Sequence, residues 1–244
     1  MSETGAVKLS RLLALQRELD AVANNVANVG TTGFKARHVR FEEHLGRVER
    51  PEAGAKPRQP VSFVVGRSEA LDLSRGAVEL TGRRLDLAIE GDAYFVVRAA
   101  DGTDRYTRDG SFKLDATGRL VTATGLPVLG EGGPLRFAGT DTDVALGPDG
   151  LLLSGGGVSQ RLRLATFRRP QSLVPVGGNL LRANDAPIEP RAGTARLLQG
   201  ALERSNVQPV AEMSRLVEVT RAYQLVSGMI RPDGNELQRL ADVV

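Results

Sequence analysis

The sequence predicts an α+β fold. N- and C-terminal helices form a coiled-coil pair, and an extended linking segment and a mostly antiparallel β-domain are inserted between them. Apolar residues near both ends of the 244-residue chain recur at alternating intervals of three and four, which is the spacing of helices that pack along a seam. Between the ends, short stretches of alternating apolar and polar residues are separated by turns rich in Asp and Gly. Such strands and turns are typical of an antiparallel barrel or sandwich.

The N-terminal helix is predicted to occupy residues 1–33. Gly30 and Gly33 are expected to end it, because glycine readily adopts the positive-φ conformations found just after a helix. Residues 21–29 contain no ionisable side chain, which favours contact with another chain over exposure to water. The apolar seam of this helix consists of Leu12, Leu15, Leu19, Val22, Val26 and Val29.

The C-terminal helix is predicted over residues 208–244, with Pro209 in the first turn, where proline is well tolerated. Pro232 interrupts this segment, but the apolar frame continues beyond it to Val244, so a kinked helix is favoured over a loop. Isolated helices of a few heptads are marginal in water, and the two terminal helices are therefore expected to pair. The C-terminal stripe consists of Val210, Met213, Leu216, Val217, Val219, Tyr223, Val226 and Ile230.

Three segments are predicted between the helices: an extended linking region (34–84), a β-domain (85–185) and a return segment (186–207). The proline-containing stretch Pro51–Pro60 is expected to be a flexible tip or linker. Among the predicted strands of the β-domain are Leu85–Ile89, Val144–Leu146, Leu151–Ser154 and Arg161–Phe167.

The residue types argue against an enzyme and against bound cofactors. The chain contains no cysteine, so thiol nucleophiles, disulfides and Cys-based metal sites are excluded. His38 and His44 lack the spacing of a metal motif and are predicted to be a surface pair. Asp141, Asp143 and Asp149 lack the spacing of an EF-hand loop. We therefore predict no catalytic, cofactor-binding or metal-binding residue.

The charge pattern does not indicate a nucleic-acid-binding protein. The formal net charge is +3, and the basic residues are spread along the chain instead of being concentrated in one cluster. No apolar run approaches the roughly 18 residues needed to span a bilayer, and the N-terminus lacks the features of a Sec-type signal peptide. We expect no nucleic acid, no small-molecule substrate and no membrane insertion. Two interpretations stay open: a protein that assembles through its terminal helices, or a soluble β-domain binding protein on which those helices simply pack.

Motifs along nearly the whole chain resemble those of the flagellar rod and hook protein family. Near the N-terminus, "LDAVANNVANVGTTGFKARHVRFEEHL" (19–45) contains an Ala-Asn-Asn-x-Ala-Asn run followed by Thr-Thr-Gly-Phe-Lys. The length and the single central β-region are more like a rod protein than a hook protein. The ending "TRAYQLVS" is more like proximal-rod members, and a distal-rod member is the alternative. The remaining matching motifs are "LDLAIEGDAYFVV" (85–97), "RYTRDGSFKLDATGRLVTATGLPVLG" (105–130), "LATFRRPQSLVPVGGNLL" (164–181) and "LLQGALERSNVQPVAEMSRLVEVTRAYQLVSGMI" (197–230).

The resemblance implies a structural subunit of the flagellar basal-body rod in the periplasm, exported by the flagellar type III apparatus without a cleaved signal peptide. Its partners would be other rod proteins and copies of itself. The terminal helices would form a coiled-coil domain lining the axial structure, so their apolar seams would be subunit interfaces. Asn24, Asn25 and Asn28 would let neighbouring helices approach closely and would fix their register. The turn after the first helix consists of Gly30, Thr31, Thr32, Gly33 and Phe34.

Overall fold

The computed structural model describes residues 3–45, 62–137, 144–147, 150–154, 159–191 and 193–229. Several predicted features lie outside these residues. They are the stretch Pro51–Pro60, the acidic residues Asp141, Asp143 and Asp149, and everything predicted from Ile230 onwards, including the kink at Pro232.

The chain divides into two compact units, each assembled from segments that are distant in sequence. The first, called the helical unit, is formed by the described parts of Met1–Ala27, Arg37–Ala70 and Gln208–Val244. The second, called the β-unit, is formed by Asn28–Ala36 and the described parts of Leu71–Val207. The segment Asn28–Ala36 directly follows the first helix but belongs to the β-unit, and we call it the junction segment.

The helical unit contains two helices, α1 (Glu3–Ala27) and α2 (Pro209–Gly228), and a two-stranded sheet of β1 (Arg37–Leu45) and β2 (Ser62–Leu71). Proline stands at the first helical position of α2, as the sequence predicts. α1 ends at Ala27, earlier than the predicted residue 33. The reason lies in the junction segment, where the amide of Gly33 donates to the carbonyl of Glu203 instead of continuing the helical pattern.

The β-unit consists of short strands and one 3-10 turn, Pro170–Ser172. The strands are β3 (Val78–Leu80), β4 (Leu87–Gly91), β5 (Tyr94–Arg98), β6 (Asp104–Thr107), β7 (Lys113–Leu114), β8 (Leu120–Val121), β9 (Leu129–Gly130), β10 (Gly133–Pro134), β11 (Val144–Leu146), β12 (Leu151–Ser154), β13 (Ser159–Arg161), β14 (Leu164–Ala165), β15 (Val174–Pro175), β16 (Leu181–Arg182), β17 (Ala195–Gln199) and β18 (Ala201–Glu203).

The strand pairings described in the β-unit are all antiparallel, which confirms the predicted mostly antiparallel middle of an α+β chain. The largest sheet has the order β14-β5-β6-β16-β15, and a three-stranded sheet has the order β11-β12-β13. The predicted return segment contributes β17, which pairs with β4, and β18, which pairs with β3. The last two strands of the β-unit therefore pair with its first two strands.

The core of the β-unit lies on both faces of β5. Phe95 and Val97 belong to a large apolar cluster that includes Phe112. Tyr94 and Val96 point to the opposite face and belong to a second cluster. Successive side chains of a strand alternate between faces, so β5 is buried on both sides and holds the two clusters together.

Candidate functional site: the helix pair and the junction segment

The two terminal helices contact each other and run antiparallel within the helical unit. Lys8 near the start of α1 donates to the backbone carbonyl of Met229 just after α2 (3.3 Å). Further along, both Nε and an Nη of Arg215 donate to the carboxylate of Glu18, at 3.1 and 2.8 Å. These contacts bring the two terminal helices together, whereas coiled-coil packing between the helices stays a prediction.

One face of α1 is buried within the chain. Ala14, Ala21, Val22 and Asn25 are buried, and they recur with helical spacing. The other predicted seam residues lie at the edge of this face: Leu12, Leu15, Leu19 and Val26 are half-buried, as are Asn24 and Asn28, and Val29 is exposed.

The residues of the predicted C-terminal stripe divide between two faces of α2, and one of these is the inner face. Val219 is buried, and Leu216, Tyr223 and Val226 are half-buried. Glu212 is buried on the same face. Four of the predicted residues therefore lie on the side of α2 that is covered within the chain, whereas Val210, Met213 and Val217 lie on the opposite face.

The opposite face of α2 carries an apolar stripe that the described residues leave exposed. Its five members are 50–79% exposed and follow the helical period, with Arg221 in their midst. Monomeric soluble proteins rarely leave a contiguous apolar patch in water without a partner for it. The stripe, called the α2 stripe below, consists of Val210, Met213, Val217, Leu225 and Met229.

Asn25 fastens the end of α1 to the start of β1. Its side-chain amide donates to the carbonyl of Arg37 (2.9 Å), and its side-chain oxygen accepts from the amide of Arg37 (2.8 Å). The side chain of Asn25 is fully buried and Arg37 is half-buried, so these bonds are partly shielded from water. The sequence alone did not indicate this intrachain role. The role between subunits that it assigned to the three asparagines stays a prediction.

The junction segment is a series of turns bound tightly to the rest of the β-unit. The amide of Thr31 donates to the carbonyl of Asn28 (3.1 Å), and the side-chain amide of Asn179 donates to the carbonyl of Thr32 (2.6 Å). Gly33 has a φ of +65°, and a Cβ there would lie 2.4 Å from the carbonyl carbon of Arg108. Only glycine fits that position without displacing backbone. Gly30 makes no such close approach.

The apolar end of the junction segment packs against the last residues of the β-unit. Phe34 and Ala36 form a small buried cluster with Val207. The side chain of Asn206 accepts from the amide of Ala36 (2.7 Å) and donates to the carbonyl of Asp72 (2.9 Å). The predicted turn residues are thus held from both sides by residues far away in the sequence.

A buried ion cluster, Lys35–Glu203–Arg108, lies beside this turn. Lys35 Nζ is 2.6 Å from Glu203 Oε1, and an Nη of Arg108 is 3.4 Å from Glu203 Oε2. None of the three residues is more than 4% exposed. Lys35 also donates to the carbonyl of Ser74 (2.6 Å). Arg108 donates through its two Nη atoms to the carbonyls of Ile89 and Gly91, while its Nε has no hydrogen-bond partner among the described residues. Each ion is therefore paired and has hydrogen bonds, which lowers the cost of burying its charge.

Burial dominates the electrostatics of the cluster. Burial lowers the pKa of Lys35 below its ordinary value of 10.5, and the nearby charge of Arg108 acts in the same direction. The hydrogen bond and the charge of Glu203 oppose this shift, as does Asp72 more weakly. The Arg108 guanidinium also lies 5.1 Å from the ring centroid of Tyr94, within the range of a cation–π contact.

The sequence offered only an indirect signal for the ion cluster. Its members stand in three of the quoted motifs, as the Lys of "TTGFK", the Arg of "TRDG" and the Glu of "GALERSN". Charged residues in turn-like motifs are normally solvated, so nothing in the sequence indicated that these three meet in the core.

The described residues offer no metal-binding group of three or more His, Cys, Asp or Glu side chains. His38 is half-buried in β1. Within the part of the chain that the structure describes, neither helix combines the length and the apolar character needed to cross a membrane.

Three family models match the chain in sequence order. Residues 7–35 match "Flagella basal body rod protein", residues 88–153 match "Flagellar hook protein FlgE/F/G D1 domain", and residues 198–242 match "Flagellar basal body rod FlgEFG protein C-terminal". Among similar proteins, the flagellar basal-body rod protein FlgF of Caulobacter vibrioides is 40% identical over 228 residues, covering 92% of this chain and 90% of the relative. The chain belongs to the flagellar basal-body rod protein family.

Other family members are similar over almost their entire length. FlgF of Rhizobium meliloti is 36% identical over 98% of this chain and 96% of its own length. FlgG of Bacillus subtilis is 34% identical over 96% of both chains. The matched regions also coincide with the elements described above: the first contains Lys35, the second Arg108 and the third Glu203 together with α2.

Proposed function

We propose that this chain is a non-enzymatic structural subunit of the proximal part of the flagellar rod. It assembles with copies of itself and with other rod proteins through its terminal helices. It reaches the basal body through the flagellar type III export apparatus. Membership of the rod protein family supports the structural role, and the FlgF relatives support the proximal position.

The α2 stripe carries the assembly part of the proposal. Five apolar side chains remain at least half exposed along one face of α2 while the opposite face is covered by the chain itself. Burying a side chain of this kind contributes about 1.5–3 kcal/mol, so a partner helix that covers several of them gains substantial free energy. Arg221, in the midst of the stripe, can pair with an acidic residue of that partner.

The assembly role is tested by placing one charge in the stripe. Val217→Glu is compared with Val176→Glu, since both valines are exposed (50% and 43%) and Val176 lies in the β-unit. Each variant replaces the native protein in its own bacterium, and the amount of the chain in purified basal bodies is measured together with motility. We expect the Val217→Glu variant to be depleted from basal bodies and its strain to be non-motile. We expect the Val176→Glu variant to be retained in basal bodies. Equal retention of both variants would exclude the α2 stripe as the assembly surface, and absence of the native chain from purified basal bodies would favour a soluble binding protein.

The position within the rod is tested separately. A distal subunit is the alternative, because FlgG relatives reach 34% identity. In a strain that lacks its FlgG-type protein, a proximal subunit should still be present in purified basal bodies. Its absence from those basal bodies, with normal amounts in the complete strain, would support the distal assignment.

A further inference from the structure

The buried ion cluster contains two cations and one anion. Glu203 is held between Lys35 and Arg108, at 2.6 and 3.4 Å. The remaining acidic group that acts on Lys35 is Asp72, and its effect is weaker than that of Glu203. An ion buried without its counter-ion is strongly destabilising. Lys35 and Arg108 therefore cannot be buried together favourably unless Glu203 is present.

The three ions come from widely separated parts of the chain. The hydrogen bond between Lys35 and Glu203 spans 168 residues of sequence. Glu203 is the last residue of β18, the strand that pairs with β3. Gly33 depends on the same residue, because its amide donates to the carbonyl of Glu203 (2.7 Å). One residue near the end of the β-unit thus satisfies a charge and a backbone group of the junction segment.

We propose that this cluster is a folding lock: the β-unit closes around the junction segment only when the strand that carries Glu203 is in place. Until then Lys35 and Arg108 repel each other, and the junction segment stays hydrated. The apolar contacts act in the same direction, since Phe34 and Ala36 pack on Val207, which also lies near the end of the β-unit. The lock makes folding of the β-unit depend on a nearly complete chain, independently of assembly into a rod.

The order of events is tested on the full-length chain by hydrogen exchange with pulse labelling during refolding. We expect the amide of Gly33 and the other amides of the junction segment to gain protection in the same kinetic phase as those of β18 (Ala201–Glu203). Protection of the junction segment in an earlier phase than β18 would overturn the proposal.

The role of charge is tested by equilibrium hydrogen exchange at the Gly33 amide. Glu203→Gln leaves two buried cations without an anion, and we expect exchange to be faster by about 100-fold or more. Lys35→Met leaves the pair of Arg108 and Glu203 intact, and we expect exchange at the Gly33 amide to be faster by about 10-fold or less. The double variant Lys35→Met/Glu203→Gln buries a single cation and should exchange more slowly than Glu203→Gln alone.

The two mechanisms, charge matching and packing, give different outcomes in the double variant. If the cluster acted by packing alone, the losses of stability caused by the two substitutions would add. Faster exchange in the double variant than in Glu203→Gln therefore overturns the proposal. If Glu203→Gln does not fold, folding of the double variant supports charge matching, and failure of both overturns it.

A dependence on pH separates the lock from a purely steric role. The hydrogen bond and charge of Glu203 are what hold up the pKa of Lys35 against burial and against Arg108. In Glu203→Gln, Lys35 faces only Arg108 and the more weakly acting Asp72, so its pKa falls further. In this variant, the protection of the Gly33 amide against exchange should therefore begin to increase at a lower pH than it does in the native chain. Recovery at the same pH in both proteins would contradict the assigned role of Glu203.

Discussion

Replacing Asn25 by Leu tests the link between α1 and β1. Leucine has a similar size, so the change removes two hydrogen bonds while retaining most of the packing. The amide and the carbonyl of Arg37 each lose their partner, at 2.8 and 2.9 Å in the native chain. An unsatisfied buried group costs about 1–3 kcal/mol. Because Arg37 is half-buried and can gain some contact with water, we take about 2–4 kcal/mol for the pair.

The assay is amide hydrogen exchange measured by NMR, since the amide of Arg37 is itself one of the two donors. With a factor of ten for each 1.36 kcal/mol, its exchange should accelerate about 30- to 1,000-fold. Asn28→Leu is the matched control, because the side chain of Asn28 accepts from the hydroxyl of Thr31, whereas the side chain of Asn25 forms both hydrogen bonds to the backbone of Arg37. Unchanged exchange at Arg37 in Asn25→Leu would refute the intrachain role. If that variant nevertheless failed to assemble, the predicted contact between subunits would gain support.

Three further predictions concern other contacts. Gly33→Ala should lower the free energy of unfolding of the β-unit by about 2–5 kcal/mol, because of the positive φ and the backbone overlap with Arg108. Gly102→Ala, at a φ of +77° in open space, should lower it by about 1–2 kcal/mol. Denaturant titrations measure both losses. At Lys35 the unfolded chain binds more protons than the folded one between the lowered pKa of Lys35 and 10.5, so this residue makes the free energy of unfolding of the β-unit rise with pH across that window, against the opposite effect of the raised pKa values of Tyr94 and Tyr106 near pH 10. Lys35→Met should abolish this rise, and an unchanged slope in that variant would contradict the assignment. Glu18→Ala should lower the free energy of unfolding by less than about 1 kcal/mol, because the side chain of its partner Arg215 is 42% exposed. A larger loss of stability would indicate additional contacts of Glu18.

Local pattern was sufficient for the elements whose partners are close in sequence. The predicted bounds of β11 (Val144–Leu146) and β12 (Leu151–Ser154) are those of the structure, because these strands pair with each other across a short turn. Helical spacing also decides which residues of α2 share a face, although the predicted stripe includes Val210, Met213 and Val217, which lie opposite the covered face.

Contacts between distant segments could not be predicted in the same way. β17 and β18 were assigned to a return segment, although they pair with β4 and β3, because period-two alternation does not identify the partner of a strand. The same limit applies to the end of α1. Gly30 and Gly33 both signalled a helix stop, but the helix ends earlier, at Ala27, because the junction segment bonds to Glu203 and Asn179, far away in sequence.

The membership of the junction segment in the β-unit determines how the protein can be cut into pieces. A recombinant fragment from Leu71 to Val207 is contiguous, but it lacks Lys35 and the two side chains that cover Val207. A synthetic peptide spanning Asn28–Ala36 should therefore bind that fragment in trans and raise its melting temperature. Binding of this kind would show that the β-unit can be assembled from two separate chain segments. The boundaries of the unit are thus set by its contacts and not by a continuous stretch of sequence.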